Sequence, residues 1–333
     1  MKNKVFIIAE AGVNHNGNPQ IAREMVQAAF DAGADAVKFQ TFKAEKLVSP
    51  ETPLADYQKE QQTGHHTQFS LLKQLELSNS AHRDLFDFCR VTGIEFMSTP
   101  FDMESAQLLK NLGVKRFKIG SGDLTNLPLL RKVGQYRQEI ILSTGMGTLD
   151  EIRAALNILT AAGTSHDQIV ILHANTEYPT PYEDVNLRAM LTIAKKFHTR
   201  VGYSDHTPGI EVPVAAVALG ASVIEKHFTL NRNLDGPDHR ASLEPDELKA
   251  MITAIRHIEK SMGHKRKEPS KSERKNMAAT RKSIVASHDI KKGELFSEKN
   301  LTVKRPGIGI SPLRWDDLIG TPAAKDYTKN DLI

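Results

Sequence analysis

The sequence predicts an α/β protein, a (β/α)8 barrel followed by a small C-terminal unit, on three observations. Short β-branched runs alternate with longer stretches of helical periodicity, eight times within roughly 260 residues. Nearly every run ends in charged or hydroxyl side chains, where an ordinary loop favours Gly, Pro, Asn and Ser; here Glu10, Lys38, Lys118, His206, Glu225 and His227 recur. After Met262 the alternation stops and the chain turns basic and polar.

Residues 5–9 form the first strand-like run and end in Glu10-Ala11-Gly12. Residues 21–31 follow as a helix with Ile21, Met25, Val26 and Ala29 on one face, and Gly33 sits where a helix C-cap belongs. Ala36-Val37 then leads into Lys38-Phe39-Gln40. The next runs are 94–97 before Ser98-Thr99-Pro100, 116–119 before Gly120-Ser121-Gly122-Asp123, and 139–142 before Ser143-Thr144-Gly145. The last three are 169–172 before His173, 201–203 before Ser204-Asp205-His206, and 222–224 before Glu225-Lys226-His227. Residues 245–262 supply the eighth helix. The expected organisation is a barrel over 1–262, a linker over 263–282 and a second unit over 283–333. That last unit, about 50 residues, is near the lower limit for folding alone, so it is expected to pack on its own barrel or a partner's. The insert from Thr41 to Gln68, with Tyr57, His65 and His66, has the length of a lid or of a disordered loop.

Composition narrows the class. The 333 residues carry 44 Lys and Arg against 40 Asp and Glu, a formal +4 that gives no reason to expect a nucleic-acid partner. The longest apolar stretch, 212–224, contains a proline, a glycine and a serine and falls short of the ~20 residues of a membrane span. Residues 5–9 are no secretory h-region. The single cysteine, Cys89, excludes a disulfide framework or a Cys-rich zinc site and reads as core. A cytoplasmic globular enzyme is the expectation.

In such a barrel the C-terminal strand ends form the active-site face. His206 and His227 follow consecutive strands and would be neighbours in one mouth. They suit either an open Mn²⁺-, Co²⁺- or Zn²⁺-type site or a hydrogen-bonded acid–base pair. Lys38, Lys118, Thr99, Ser121 and Ser204 end other strands and, with the amides of Gly120-Ser121-Gly122, could cradle a phosphate or carboxylate. Gly145-Met146-Gly147 is a weaker source of amides. Glu10 and Asp123 are candidate carboxylates for hydroxyl recognition or proton transfer, although Asp123 could equally be an N-cap. Glu225 could orient water beside His227. Tyr178 faces the pocket or packs under a turn, and Arg305 reaches a ligand or is a solvated charge.

Taken in order, several motifs resemble the bacterial sialic acid synthase family. They are Glu10-Ala11-Gly12-Val13-Asn14-His15-Asn16-Gly17, Lys38-Phe39-Gln40-Thr41, Lys118-Ile119-Gly120-Ser121-Gly122-Asp123, Glu177-Tyr178-Pro179, Ser204-Asp205-His206, Glu225-Lys226-His227 and Gly236-Pro237-Asp238-His239. The tail Lys304-Arg305-Pro306-Gly307-Ile308-Gly309 resembles that family's antifreeze-like (SAF) domain. The resemblance implies condensation of phosphoenolpyruvate with N-acetylmannosamine and water, giving the nine-carbon 2-keto acid N-acetylneuraminate and phosphate. It implies a divalent cation on His206 and His227, Mn²⁺ first, with Mg²⁺ or Co²⁺ as substitutes. It implies substrate binding by Lys38, Gln40, Thr99, Ser121, Tyr178, Ser204, Asp238 and Arg305, with catalytic roles for Asp123, Glu10 and Lys118. It also implies a domain-swapped homodimer in which the partner's SAF domain brings Arg305. Position 123 departs from the glutamate of many bacterial members, and Ala174 stands where a cysteine is common. Within the family the alternative is an N,N'-diacetyllegionaminate synthase acting on 2,4-diacetamido-2,4,6-trideoxymannose. From other classes, a metal-free Schiff-base pyruvate aldolase would use Lys118 or Lys38, and a carbohydrate- or ice-binding role would rest on the C-terminal unit alone.

Overall fold

The computed structural model describes residues 4–55, 58 and 66–333, and the chain divides into two compact units, Met1–Gly263 and His264–Ile333. Tyr57 and His65 lie outside the described residues. In the first unit eight parallel strands follow one another: β1 (Phe6–Gly12), β2 (Ala36–Thr41), β3 (Glu95–Pro100) and β4 (Arg116–Ile119), then β5 (Glu139–Ser143), β6 (Ile169–Ala174), β7 (Arg200–Asp205) and β8 (Val223–His227). Their hydrogen-bonded order is β3-β2-β1-β8-β7-β6-β5-β4. The first strand thus pairs with the last, Glu10 opposite His227, and the sheet rolls into the expected barrel. β3 and β4 stand side by side at the two ends of that order, and among the described residues no strand register joins them.

Strands of a parallel barrel are covered on both faces, which is why these runs are rich in Val, Ile and Leu. Alternate residues point outward, and Ile7, Phe39, Phe117, Leu142 and Ile224 pack there against the helices in the largest core cluster. The inward positions stack in layers. At the N-terminal rim Arg116 Nε lies 3.3 Å from carboxylate oxygens of both Glu95 and Glu139, with its guanidinium 4.1 Å from the Phe6 ring centre. Above this come Ile8, Ala36, Met97, Ile141, Val170, Leu172 and Val223, an apolar plug. One further step up, the same faces of the strands carry Glu10, Lys38, Thr99, Lys118, Ser143, Ser204 and Glu225, all buried. The plug is the floor on which this charged layer rests.

Helix ends follow local chemistry. The first helix, Pro19–Ala32, starts two residues before its expected place because the Asn18 side chain accepts from the Gln20 and Ile21 amides and Pro19 pre-sets φ. The insert after β2 contributes helices Ala44–Leu47 and Gln68–Leu75. Their apolar residues join Val13, Phe42, Leu54 and Phe101 in a cluster of their own.

In the second unit β9 (Ser283–Ala286) pairs antiparallel with β10 (Leu301–Lys304). Ile284, Ala286, Ile290, Phe296, Leu301, Ala323 and Tyr327 form its separate core. Within the stretch expected to be a linker, Lys271–Thr280 is a helix held by a Ser270–Glu273 capping box, with no buried residue. An apolar stripe, the usual signal, is missing there. Among the described residues no helix is long and apolar enough to cross a membrane.

Candidate active site

The charged layer opens into a cavity of about 310 Å³ at the C-terminal strand ends. Glu10, Lys38, Gln40, Thr99, Lys118, Ser121, Tyr178, Ser204, His206, His227 and Asp238 all line it. Two expected residues do not. Asp123 sits on the short turn after β4, buried, its carboxylate accepting from the Asn126 side-chain amide at 2.8 Å, and it is not on the cavity wall. Arg305 belongs to the second unit and is exposed there.

Two ammonium groups dominate the floor. Lys38 Nζ lies 2.7 Å from Glu10 Oε2 and donates to Thr99 Oγ1 at 2.9 Å. Lys118 Nζ donates to Ser143 Oγ at 2.7 Å. Glu225 stands between them, 3.4 Å from Lys118 Nζ and 3.8 Å from Lys38 Nζ, and accepts from Ser204 Oγ at 2.9 Å. Sequence reasoning placed Glu225 only beside His227, and it noted Ser143 at a strand end without giving it a role.

Burial and pairing set the charge states. Burial pushes Glu10 up to about 7, with the Glu225 charge adding and Lys38 opposing. For Lys38 burial pulls downward, but Glu10 and Glu225 outweigh it and hold the amine above the usual lysine range. Burial lowers Lys118, with Lys38 adding, against the pull of Glu225. Burial also drives Glu225 upward, yet Lys118 and Lys38 win and keep it below the usual carboxylate range. Asp238, 3.7 Å from His227 Nδ1, is pushed by burial to about 6.

The two histidine rings lie 5.3 Å apart, with the Tyr178 ring 4.1 Å from His206 and 5.6 Å from His227. His206 Nδ1 is bonded to the Asn175 carbonyl. A carbonyl only accepts, so Nδ1 carries the proton and Nε2 keeps its lone pair. His227 Nδ1 is buried and without a hydrogen-bond partner. Burial lowers His206 to about 4 and holds His227 well below the usual range, with the neighbouring His206 and Lys38 contributing to the second. Both rings are therefore neutral near pH 7, the form that binds metal. The donor set fits an open two-histidine site for a borderline divalent cation. Among the described residues no group of three or more His, Cys, Asp or Glu side chains gathers as a closed metal site.

The opposite side of the cavity differs in character. Val13 after β1, Leu47, Val48, Leu71, Leu72 and Leu75 of the insert, and Phe101 after β3 make an apolar wall over β1–β3. Sequence reasoning missed it. The signal was Leu71 and Leu75, one helical turn apart.

The NeuB family model matches residues 25–267, and the SAF domain model matches 281–333. The N,N'-diacetyllegionaminic acid synthase of Campylobacter jejuni is 52% identical over 330 residues, 99% of this chain and 99% of that protein. The N,N'-diacetyllegionaminic acid synthase of Legionella pneumophila is 48% identical, covering 95% of this chain and 89% of that protein. Among solved structures, the N-acetylneuraminic acid synthetase of Leptospira borgpetersenii, in complex with citrate, superposes with a TM-score of 0.74 at 37% identity. That match covers 82% of this chain and 90% of the other.

Proposed function

This chain belongs to the NeuB family and ends in a SAF domain, and on that premise we propose that it makes N,N'-diacetyllegionaminate. The substrates are phosphoenolpyruvate, 2,4-diacetamido-2,4,6-trideoxymannose and water, and phosphate is the second product. The order expected from sequence, N-acetylneuraminate first, is reversed by the identities of 52% and 48% to legionaminate synthases. The observation that carries the reading is the two-sided cavity. A sugar with a 6-methyl group and a second acetamido methyl presents apolar surface to the Leu47, Leu72 and Phe101 wall, where N-acetylmannosamine presents hydroxyls.

Lys38, Thr99, Lys118, Ser121 and Ser204 are assigned to the phosphate and carboxylate of phosphoenolpyruvate, for which two buried ammonium groups supply charge-assisted hydrogen bonds. Gln40, Tyr178 and Asp238 are assigned to the sugar. A cation held by His206 and His227, Mn²⁺ in the first instance and Mg²⁺ or Co²⁺ as substitutes, would polarise the sugar's aldehyde oxygen as a Lewis acid. The C3 carbon of the enol phosphate bonds to the aldehyde carbon as the carbonyl π pair moves to oxygen, which takes a proton; water adds at C2 and gives up a proton, and the C2–O bond breaks to release phosphate. Glu10, with a pKa of about 7 and a direct ion pair to Lys38, is the group suited to hold and release a proton near neutrality. Asp123, turned toward Asn126, is kept as a sugar contact made only with substrate bound. The proposal includes a domain-swapped homodimer in the cytoplasm, with Arg305 of one copy serving the barrel of the other. The aldolase alternative is disfavoured for Lys38, because Glu10 and Glu225 hold it protonated and without the lone pair a Schiff base requires.

The test is phosphate release from phosphoenolpyruvate by metal-stripped protein with Mn²⁺ restored, offering each sugar in turn. Preference for the trideoxy sugar supports the assignment. Preference for N-acetylmannosamine returns the protein to the sialic acid branch, and release with neither sugar rejects both.

A further inference from the structure

Asp205 and Lys226 form a fully buried ion pair in the barrel wall. Their side chains are 0% exposed, and Lys226 Nζ lies 2.5 Å from Asp205 Oδ2. They are register partners on β7 and β8, directly following the Ser204–Glu225 pair. Ser204 and Glu225 face the cavity, so by strand alternation Asp205 and Lys226 point to the other face, among the outer core formed by Tyr203, Ile224 and Phe228. Burying an ion pair in an apolar layer gains little stability over apolar residues of the same volume. Its location is the informative fact. Asp205 and Thr207 flank His206 on either side, and Lys226 immediately precedes His227.

The bonding ties those neighbours together. Lys226 Nζ donates both to Asp205 and to the Thr207 carbonyl. The Thr207 hydroxyl lies 3.0 Å from each Asp205 carboxylate oxygen, and the Thr207 amide donates to Oδ1 at 3.2 Å. One ammonium on β8 thus holds the Asp205 carboxylate just before His206 and the Thr207 backbone carbonyl just after it. The two strand ends cannot slide or splay without breaking it.

We propose that Asp205, Lys226 and Thr207 are positioning residues whose work is to fix the separation of the His206 and His227 rings for a divalent cation. This rests on the two-histidine reading of the site. Co²⁺ is titrated into metal-stripped full-length protein without substrates and read by its visible absorption, while thermal unfolding is followed on the same samples. In Asp205→Leu/Lys226→Met both charges go and the volume stays. That variant is expected to melt within a few degrees of the parent but to bind Co²⁺ about tenfold or more weakly. Thr207→Val, which keeps the ion pair and removes the hydroxyl, is expected to show a smaller loss in the same direction. Parent-like Co²⁺ affinity in either folded variant overturns the proposal and leaves the pair as packing. If the parent protein itself gives no Co²⁺ absorption, the two-histidine reading fails instead, and this proposal falls with it.

Discussion

Replacing Glu225 by glutamine keeps the shape of the floor and removes the charge between the two lysines. The carboxylate is 3.4 Å from Lys118 Nζ and 3.8 Å from Lys38 Nζ, and all three groups are almost fully buried. At an effective dielectric of about 20 these contacts are worth about 5 and about 4 kcal/mol of bare Coulomb attraction. The realised loss is smaller, because Lys118 can shed its proton and Lys38 still has Glu10. A loss of about 3 kcal/mol near pH 7 is the expectation for a buried pair deprived of one partner. The pH dependence identifies the cause. A lysine whose folded pKa is depressed binds fewer protons when folded than when unfolded, so its penalty fades as pH rises toward the unfolded value near 10. Lys118 is already depressed, and Glu225 is the first of the groups opposing that shift, so the variant depresses it further. Urea unfolding of the parent and Glu225→Gln should therefore differ most at about pH 7 and distinctly less at about pH 9.5. Far-ultraviolet circular dichroism is the probe, since it reads the barrel's own strands and helices and the single Trp315 belongs to the second unit. An equal difference at both pH values would refute crowding of the two ammonium groups as the source.

Lys38→Met should raise the dissociation constant for phosphoenolpyruvate about tenfold or more by calorimetry, with folding retained because Glu10 can take up a proton. Leu72→Gln on the apolar wall should narrow the preference for the trideoxy sugar over N-acetylmannosamine several-fold in kcat/KM, leaving the KM for phosphoenolpyruvate unchanged; equal losses with both sugars would contradict the wall's role. Acid should destabilise the fold. His15, His82, His173, His206, His227 and His239 all have folded pKa values lowered by burial, so the stability they contribute is present above about 6.5 and is lost progressively as pH falls below that toward the lowered folded values. Glu10, Glu95, Asp123 and Asp238, raised by burial, act in the opposite sense but are fewer. The urea midpoint should thus drop between about pH 6.5 and about pH 4.5, and a flat profile would count against neutral histidines. Gly202→Ala would set a Cβ 2.2 Å from the Val223 carbonyl oxygen, a backbone atom that cannot yield, and should cost about 3 kcal/mol in thermal unfolding.

The barrel was legible because each strand carried its own buried β-branched run, and its mouth because chemistry-bearing residues ended those runs. Lys38, Thr99, Lys118, Ser204, His206 and His227 converge as strand order alone required. Pairing was not legible. Whether Glu225 would turn to a histidine or to two lysines depends on distances across the barrel that no local spacing encodes. Asp205 and Lys226 were hidden for a different reason. A charged residue at an outward strand position reads as solvated, and only the helical layer over that face makes it buried. The helix Lys271–Thr280 was missed because its stability signal is a capping box, not an apolar face. The two-residue shift of the first helix came from overlooking Asn18 and Pro19 as a cap.

The seam between β3 and β4 gives the barrel the mechanics of a hoop that is riveted shut. Backbone bonds run around the rest of the circumference, while across the seam the N-terminal rim is fastened by the Arg116 side chain to Glu95. At the opposite rim Thr99 belongs to β3, and Lys118 and the turn bearing Ser121 belong to β4. If all three hold an anion, as proposed, that anion would span the joint from above as Arg116 spans it from below. Loading the cavity would then tighten the hoop, and the stiffness of the cylinder would become a property that its own cargo completes.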